Sequence, residues 1–305
     1  MSPILLAVVP IFGLILLGFI LYRFEFPGPG FWPVSERLTY YVLFPALLIS
    51  GLSGRTFDES AIGLAVVLFV SVSLVSIGLI SARPLLKMDG PVFTSVFQGA
   101  IRPNTYVGLS AAAALLGPDW MGLSAVALLT LVPLVNVLCV LVLSRHGSNG
   151  GGAKRTIVEL IRNPLILSCL VGFMLNGFDV VLPVVLADLL TIMGKAALPL
   201  GLLAVGAGLR FDGIGKQALP VVVASAAHLI VLPLVAFLFS LLLGLDGVSR
   251  DAALIYTAIP VSVSAFILAR QMGGDHRVMA LVITMQTVLS GVTLPLILGV
   301  FGRSF

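Results

Sequence analysis

Two long apolar segments of this 305-residue chain are interrupted near their middles by polar, proline-bearing runs, Arg102-Pro103-Asn104-Thr105-Tyr106 and Ile259-Pro260-Val261-Ser262-Val263-Ser264. Proline has no N–H for the helix ladder and its ring clashes with the preceding turn, so each run predicts a helix break. At membrane depth, non-helical backbone is tolerated only where protein or a water-filled cavity satisfies the freed groups. A pair of such breaks predicts one shared binding site, as in secondary transporters.

That these segments lie in lipid follows from the composition. Hydrophobic residues make up 59% of the chain and charged residues 10%, with a mean hydropathy of +1.17. Soluble domains carry about 25% charged residues. The net charge is +4, but Lys and Arg are spread over short loops rather than gathered in one patch, which argues against nucleic-acid binding. The start, Met-Ser-Pro followed by an apolar run, has no basic region and no small-residue cleavage site, so a retained first helix is expected. Cys139 and Cys169 fall in apolar stretches without CxxC spacing. They predict buried, inert thiols, with no metal site and no cofactor.

Ten spans are predicted, near 3–22, 34–53, 60–82, 89–115, 121–144, 157–176, 184–209, 217–243, 252–270 and 278–301. Each is long enough to cross about 30 Å of hydrocarbon. Cytoplasmic loops carry the excess of Lys and Arg. With the N-terminus outside, the inner loops and span ends hold Arg23, Arg37, Arg83, Lys87, Arg145, Lys154, Arg155, Arg162, Arg210, Lys216, Arg270 and Arg277, against Arg55, Arg250 and Arg303 outside. N-out and C-out is therefore expected, with Trp32 and Trp120 near the interfaces, where amphipathic rings prefer to sit.

The Gly-rich stretch HGSNGGGA, residues 146–153, separates five predicted spans from five and reads as a flexible linker. Pro10, Pro45 and Phe57-Asp58 recur at Pro164, Pro199 and Phe211-Asp212, all at an offset of 154. An odd number of spans per half makes the second half enter from the opposite side. The predicted fold is thus an all-α membrane protein of two inverted five-helix repeats with broken, crossing helices 4 and 9. The first repeat spans 1–145, a cytoplasmic linker 146–156 and the second repeat 157–305.

The breaks define the chemistry. A half-helix N-terminus presents unpaired N–H groups and the positive end of the helix dipole, which suits a carboxylate. Arg102 lies near the centre of a span, where a charge is costly and marks function by default; two parallel hydrogen bonds to a carboxylate are one role, fixing the break the other. Asn104 and Thr105 add polar groups beside Pro103, and Ser262 and Ser264 do so after Pro260. Gln286, Ser290 and Thr293 share one helix face and either line the pocket or join helices. Asn136 is too polar to face lipid alone. His228, near the middle of the eighth span, is either a packing residue or a candidate proton carrier. The spacing of Asp188 and Lys195 reads as packing or interface.

The runs RPNTYVGLSAAAALLGP at 102–118 and ALPLGLLAVGAGL at 197–209, with the segment from Pro260 to Ala269, resemble the auxin efflux carrier family over essentially the whole chain. That family includes plant PIN proteins and bacterial carriers of malonate, malate and related acids. The resemblance implies a fold related to bile acid sodium symporters, a homodimer, a scaffold of helices 1, 2, 6 and 7, and an elevator-like transport domain of helices 3–5 and 8–10. It also implies substrate roles for Pro103, Asn104 and Pro260. The central loop is shorter than in long-loop plant carriers, and Arg102 stands where many plant sequences have Asn, which fits a small bacterial carboxylate better than auxin. The expected protein is an inner-membrane carrier of a small organic anion. Uniport, proton coupling and sodium coupling remain open alternatives. A channel, a receptor or an intramembrane enzyme is the competing reading; an enzyme is disfavoured because GxSxG, HExxH and paired membrane aspartates are absent from the sequence.

Overall fold

A computed structural model describes residues 3–28, 30–53, 60–148, 163–212, 217–245 and 247–302. These are helical throughout, with no strand beyond one isolated bridge. In chain order the helices are α1 (Pro3–Arg23), α2 (Phe31–Leu38), a π-helical turn (Thr39–Leu43), α3 (Phe44–Leu52), α4 (Ser60–Leu86), α5 (Gly90–Ile101), α6 (Thr105–Leu115) and α7 (Trp120–His146). The second half holds α8 (Pro164–Gly177), α9 (Val184–Ala207), α10 (Ala218–Ala226), a second π-helical turn (Ala227–Val231), α11 (Leu232–Leu242), α12 (Gly247–Ala258), α13 (Ser264–Met272) and α14 (His276–Phe301). The predicted linker is described only to Ser148, and Phe57-Asp58 lies outside the described residues.

Among the described residues, six helices are long and apolar enough to cross a membrane: Ile4–Arg23, Ile62–Leu86, Gly117–His146, Val184–Ala207, Ala218–Leu242 and His276–Phe301. The third and fifth of these take in a 3₁₀ turn and the second π turn. Backbone at Leu38, Thr39, Leu43 and Phe44 stays helical, so α2, the first π turn and α3 run as one rod. Side-chain oxygens of Asp89, Asn104, Asn163 and Asp275 accept the first free N–H groups of α5, α6, α8 and α14. Each thereby fixes where its helix starts.

Lipid is as apolar as leucine, so helices associate through close packing rather than through burial of oily surface. The chain uses glycine for this between α1 and α9. A Cβ at Gly18 would collide with the backbone of Leu203, and one at Gly206 with the carbonyl of Ile15. Around that pair, α9 packs on α3 and α3 on α8. A second group forms where α4 meets α7 and α11, α5 meets α7 and α10, and α12 packs on α11, α4 and α14. The groups touch through α1 with α6 and α14, through α9 with α6, through α7 with α3 and α8, and through a stacked pair, Phe44 and Tyr106, with centroids 4.7 Å apart.

One outcome checks this packing. Gly206→Val forces α1 and α9 apart and is expected to lower stability by about 1–3 kcal/mol, as overpacking does. Gly13→Ala, where a Cβ meets nothing within 4 Å, is the control expected to leave stability unchanged or slightly higher in thermal unfolding of the micellar protein.

Candidate functional site

Both breaks fall at the proline runs. α5 stops at Ile101, Arg102 is extended, and Asn104 caps a new helix; likewise α12 stops at Ala258 and α13 begins at Ser264. The residue before a proline is pushed out of helical geometry, which accounts for the extended Arg102. Each break would strand backbone donors and acceptors in an apolar interior, and each answers the other. The Asn104 N–H donates to the Pro260 carbonyl at 2.8 Å, and the Ser262 N–H to the Arg102 carbonyl at 2.9 Å. Pro103 and Val261 face each other as an antiparallel bridge.

Gln286 on α14 completes the junction. Its amide NH₂ donates to the Gly99 carbonyl at 2.7 Å and its oxygen accepts the Val261 N–H at 3.0 Å. One fully buried side chain therefore pins the end of α5 to the start of the second break. It does not line the cavity, and neither does Pro260, whose carbonyl is engaged by Asn104. On the same stripe Ser290 bonds the Thr287 carbonyl, while the Thr293 hydroxyl is buried without a partner.

In front of the junction lies a cavity of about 890 Å³. Arg102, Pro103, Asn104, Thr105, Asn136, Ser262 and Ser264 all line it. Arg102 Nε donates to Ser264 Oγ at 3.3 Å, Ser262 and Ser264 share a hydroxyl hydrogen bond of 2.9 Å, and the Cys139 thiol lies beside the guanidinium. Arg102 Nη1 is buried with no hydrogen-bond partner, and among the described residues no salt bridge joins Arg102 to a carboxylate. Asn104 spends its oxygen on the Tyr106 and Val107 N–H groups, and its Nδ2 is also buried and unpartnered. Arg102 and Asn104 thus both line the cavity, and each keeps one covered donor without a partner. The N-terminal ends of α6 and α13 also reach it at Thr105 and Ser264, adding positive dipole ends.

Sequence reasoning missed much of the wall. Glu36, Arg37, Tyr40 and Tyr41 line the cavity from α2 and the π turn, as do Asn163 at the start of α8 and Gln271 near the end of α13. The one local signal was the i, i+4 pairing of Glu36 with Tyr40 and Arg37 with Tyr41, which sets two charges and two phenols along neighbouring strips of one helix. His228 stands apart from the cavity, fully buried behind the junction. Asp188 and Lys195 are exposed on α9.

Residues 152–298 match the family model described as membrane transport protein. The match covers just under half of the chain, all of it in the second half, and takes in the second break, His228 and Gln286. No curated protein matches the chain. The matched family is one of transporters rather than enzymes, and with several apolar helices the chain is a multi-pass membrane protein.

If Gln286 holds the junction, Gln286→Leu strands a buried N–H and a buried carbonyl at once. Stability is expected to fall by about 2 kcal/mol or more. Gln286→Glu keeps an acceptor for Val261 and is expected to lose less, measured by thermal unfolding of both variants.

Proposed function

We propose that the protein is a secondary transporter for a small organic anion, a mono- or dicarboxylate such as malonate or malate or an auxin-like acid, moved by alternating access. The observation that carries this reading is the pair of buried, unpartnered donors, Arg102 Nη1 and Asn104 Nδ2, beside one cavity. A buried charge left without a partner is costly. A bound carboxylate removes the penalty by accepting from the guanidinium fork and the amide together, with the α6 and α13 dipole ends contributing. Ser262, Ser264 and Thr105 offer hydroxyls, and Asn136 an amide, to the rest of the ligand.

The cavity is much larger than a three- or four-carbon acid, and its shape supports access from one side. Its walls run from the junction past Asn163, Gln271 and the Pro33–Tyr41 stretch. Arg37 lines this wall and Arg270 adjoins its Gln271; both belong to the Lys and Arg excess expected inside, so we assign this side to the cytoplasm, with both termini outside, in a bacterial inner membrane. On this reading the chain is captured open to the inside. Ten spans then arise by counting α2–α3, α5–α6, α8 and α12–α13 with the six long apolar helices, paired as two inverted repeats. The group around α1, α3, α8 and α9 is the scaffold, and the group holding both breaks moves against it as an elevator, in a homodimer. Sodium coupling, as in bile acid symporters, is the alternative coupling mode.

Arg102→Ala is expected to weaken binding of malonate by about tenfold to a hundredfold, the loss of a charge-assisted contact. Binding of the neutral diamide of the same shape changes little. Calorimetric titration of both ligands checks this; equal losses would show instead that Arg102 only fixes the break.

A further inference from the structure

A wholly enclosed titratable group stands behind the junction. His228 is wholly buried and lies in the π-helical turn Ala227–Val231. Single π turns inside α-helices occur often at functional sites. The ring faces the backbone carbonyls of Ala100 and Ile259, one in the last turn of α5 and the other just past the end of α12. Neighbouring carbonyls are already engaged: Gln98 accepts from the Arg102 N–H, Gly99 from Gln286, and Pro260 from Asn104. Those of Ala100 and Ile259 have lost the helical N–H four residues on, because the helices end there. They also form the negative ends of two half-helix dipoles.

A neutral imidazole has one N–H, whereas an imidazolium has two. Facing two free carbonyls, the ring matches its surroundings only when doubly protonated, and neither ring nitrogen has a well-formed hydrogen bond in this structure. The π turn packs on α5, α10, α11, α12 and α14. In sequence α5, α10 and α11 carry no acid or base. α12 carries Arg250 and Asp251 in its first turn, far from the break, and Tyr256; α14 carries His276 and Arg277 only at its start. The two carbonyls are thus the groups that answer a charge on this ring.

We infer that His228 binds the proton that this carrier moves together with its anion, the imidazolium tying the C-terminal ends of α5 and α12 behind the site that Arg102 and Asn104 form in front. The inference rests on the transporter reading. One proton and one anion bind on the open side and leave on the other, with no covalent change. Because added positive charge behind the junction favours an anion in front of it, each ligand strengthens the other by the same factor.

Two readouts test this. The full chain, labelled with [¹⁵N]histidine in nanodiscs, is titrated between about pH 4 and 8, with His228 assigned by its loss in His228→Gln. The expected result is reversible conversion of this ring to the doubly protonated form, at a midpoint that rises when malonate, malate or indole acetate is added. A ring that keeps one neutral form under every condition overturns the inference, whatever transport shows. In proteoliposomes containing a pH dye, wild-type uptake of whichever acid is carried is expected to acidify the lumen, and the ratio of proton to anion flux falls at least tenfold in His228→Gln. An unchanged ratio overturns the inference and leaves the carrier intact. Failure of the wild type to move any of the three acids counts against the carrier reading, while the histidine is still decided by its resonance.

Discussion

The two helix breaks at the centre of this protein depend on two backbone hydrogen bonds, Asn104 N–H to Pro260 and Ser262 N–H to Arg102. Inside a membrane an unanswered peptide group costs several kcal/mol. A single break would be excluded on that ground. Two breaks placed against each other cancel most of the cost, since each supplies the groups the other lacks. Gln286 takes up two of the remainder. Four half-helix ends then converge, with N-terminal ends at the cavity and C-terminal carbonyls of the other two toward His228.

This polarity sorts the chemistry. In front, unpartnered donors and positive dipole ends suit an anion; behind, free carbonyls suit a cation. Arg102 belongs to the front, held at Nε by Ser264 and left open at Nη1. Most hydroxyls elsewhere bond to carbonyls of their own helix, as Ser76, Thr130, Ser240 and Thr257 do, so the polar residues left for a ligand concentrate at the breaks. Glycine plays its part away from the site, where Gly18 and Gly206 let α1 and α9 approach within the thickness of their backbones.

The all-helical membrane class and the position of both breaks were legible in the sequence, because hydropathy and proline act locally. That Arg102, Asn104, Ser262 and Ser264 would border a cavity was legible for the same reason: a polar group at span centre is costly and marks a cavity or a buried junction. Gln286 was read as a pocket candidate from its helix face, but a face does not tell whether it meets a cavity or the backbone of a neighbour, and here it meets two backbones. Glu36, Arg37 and Tyr40 were hidden because they reach the cavity only through the packing of α2 against a distant part of the chain. Pro260 shapes the junction through its carbonyl without bordering the cavity, a distinction that depends on three-dimensional placement alone.

Counterflow is the most direct measure of the central claim, because exchange of an anion across the membrane does not depend on what drives net transport. Proteoliposomes are loaded with unlabelled malonate, malate or indole acetate and diluted into a trace of the labelled acid. For at least one acid the account predicts transient accumulation that saturates with concentration and is lost in Arg102→Ala. Equilibration without overshoot or saturation would show a channel, and no exchange of any acid would contradict the carrier.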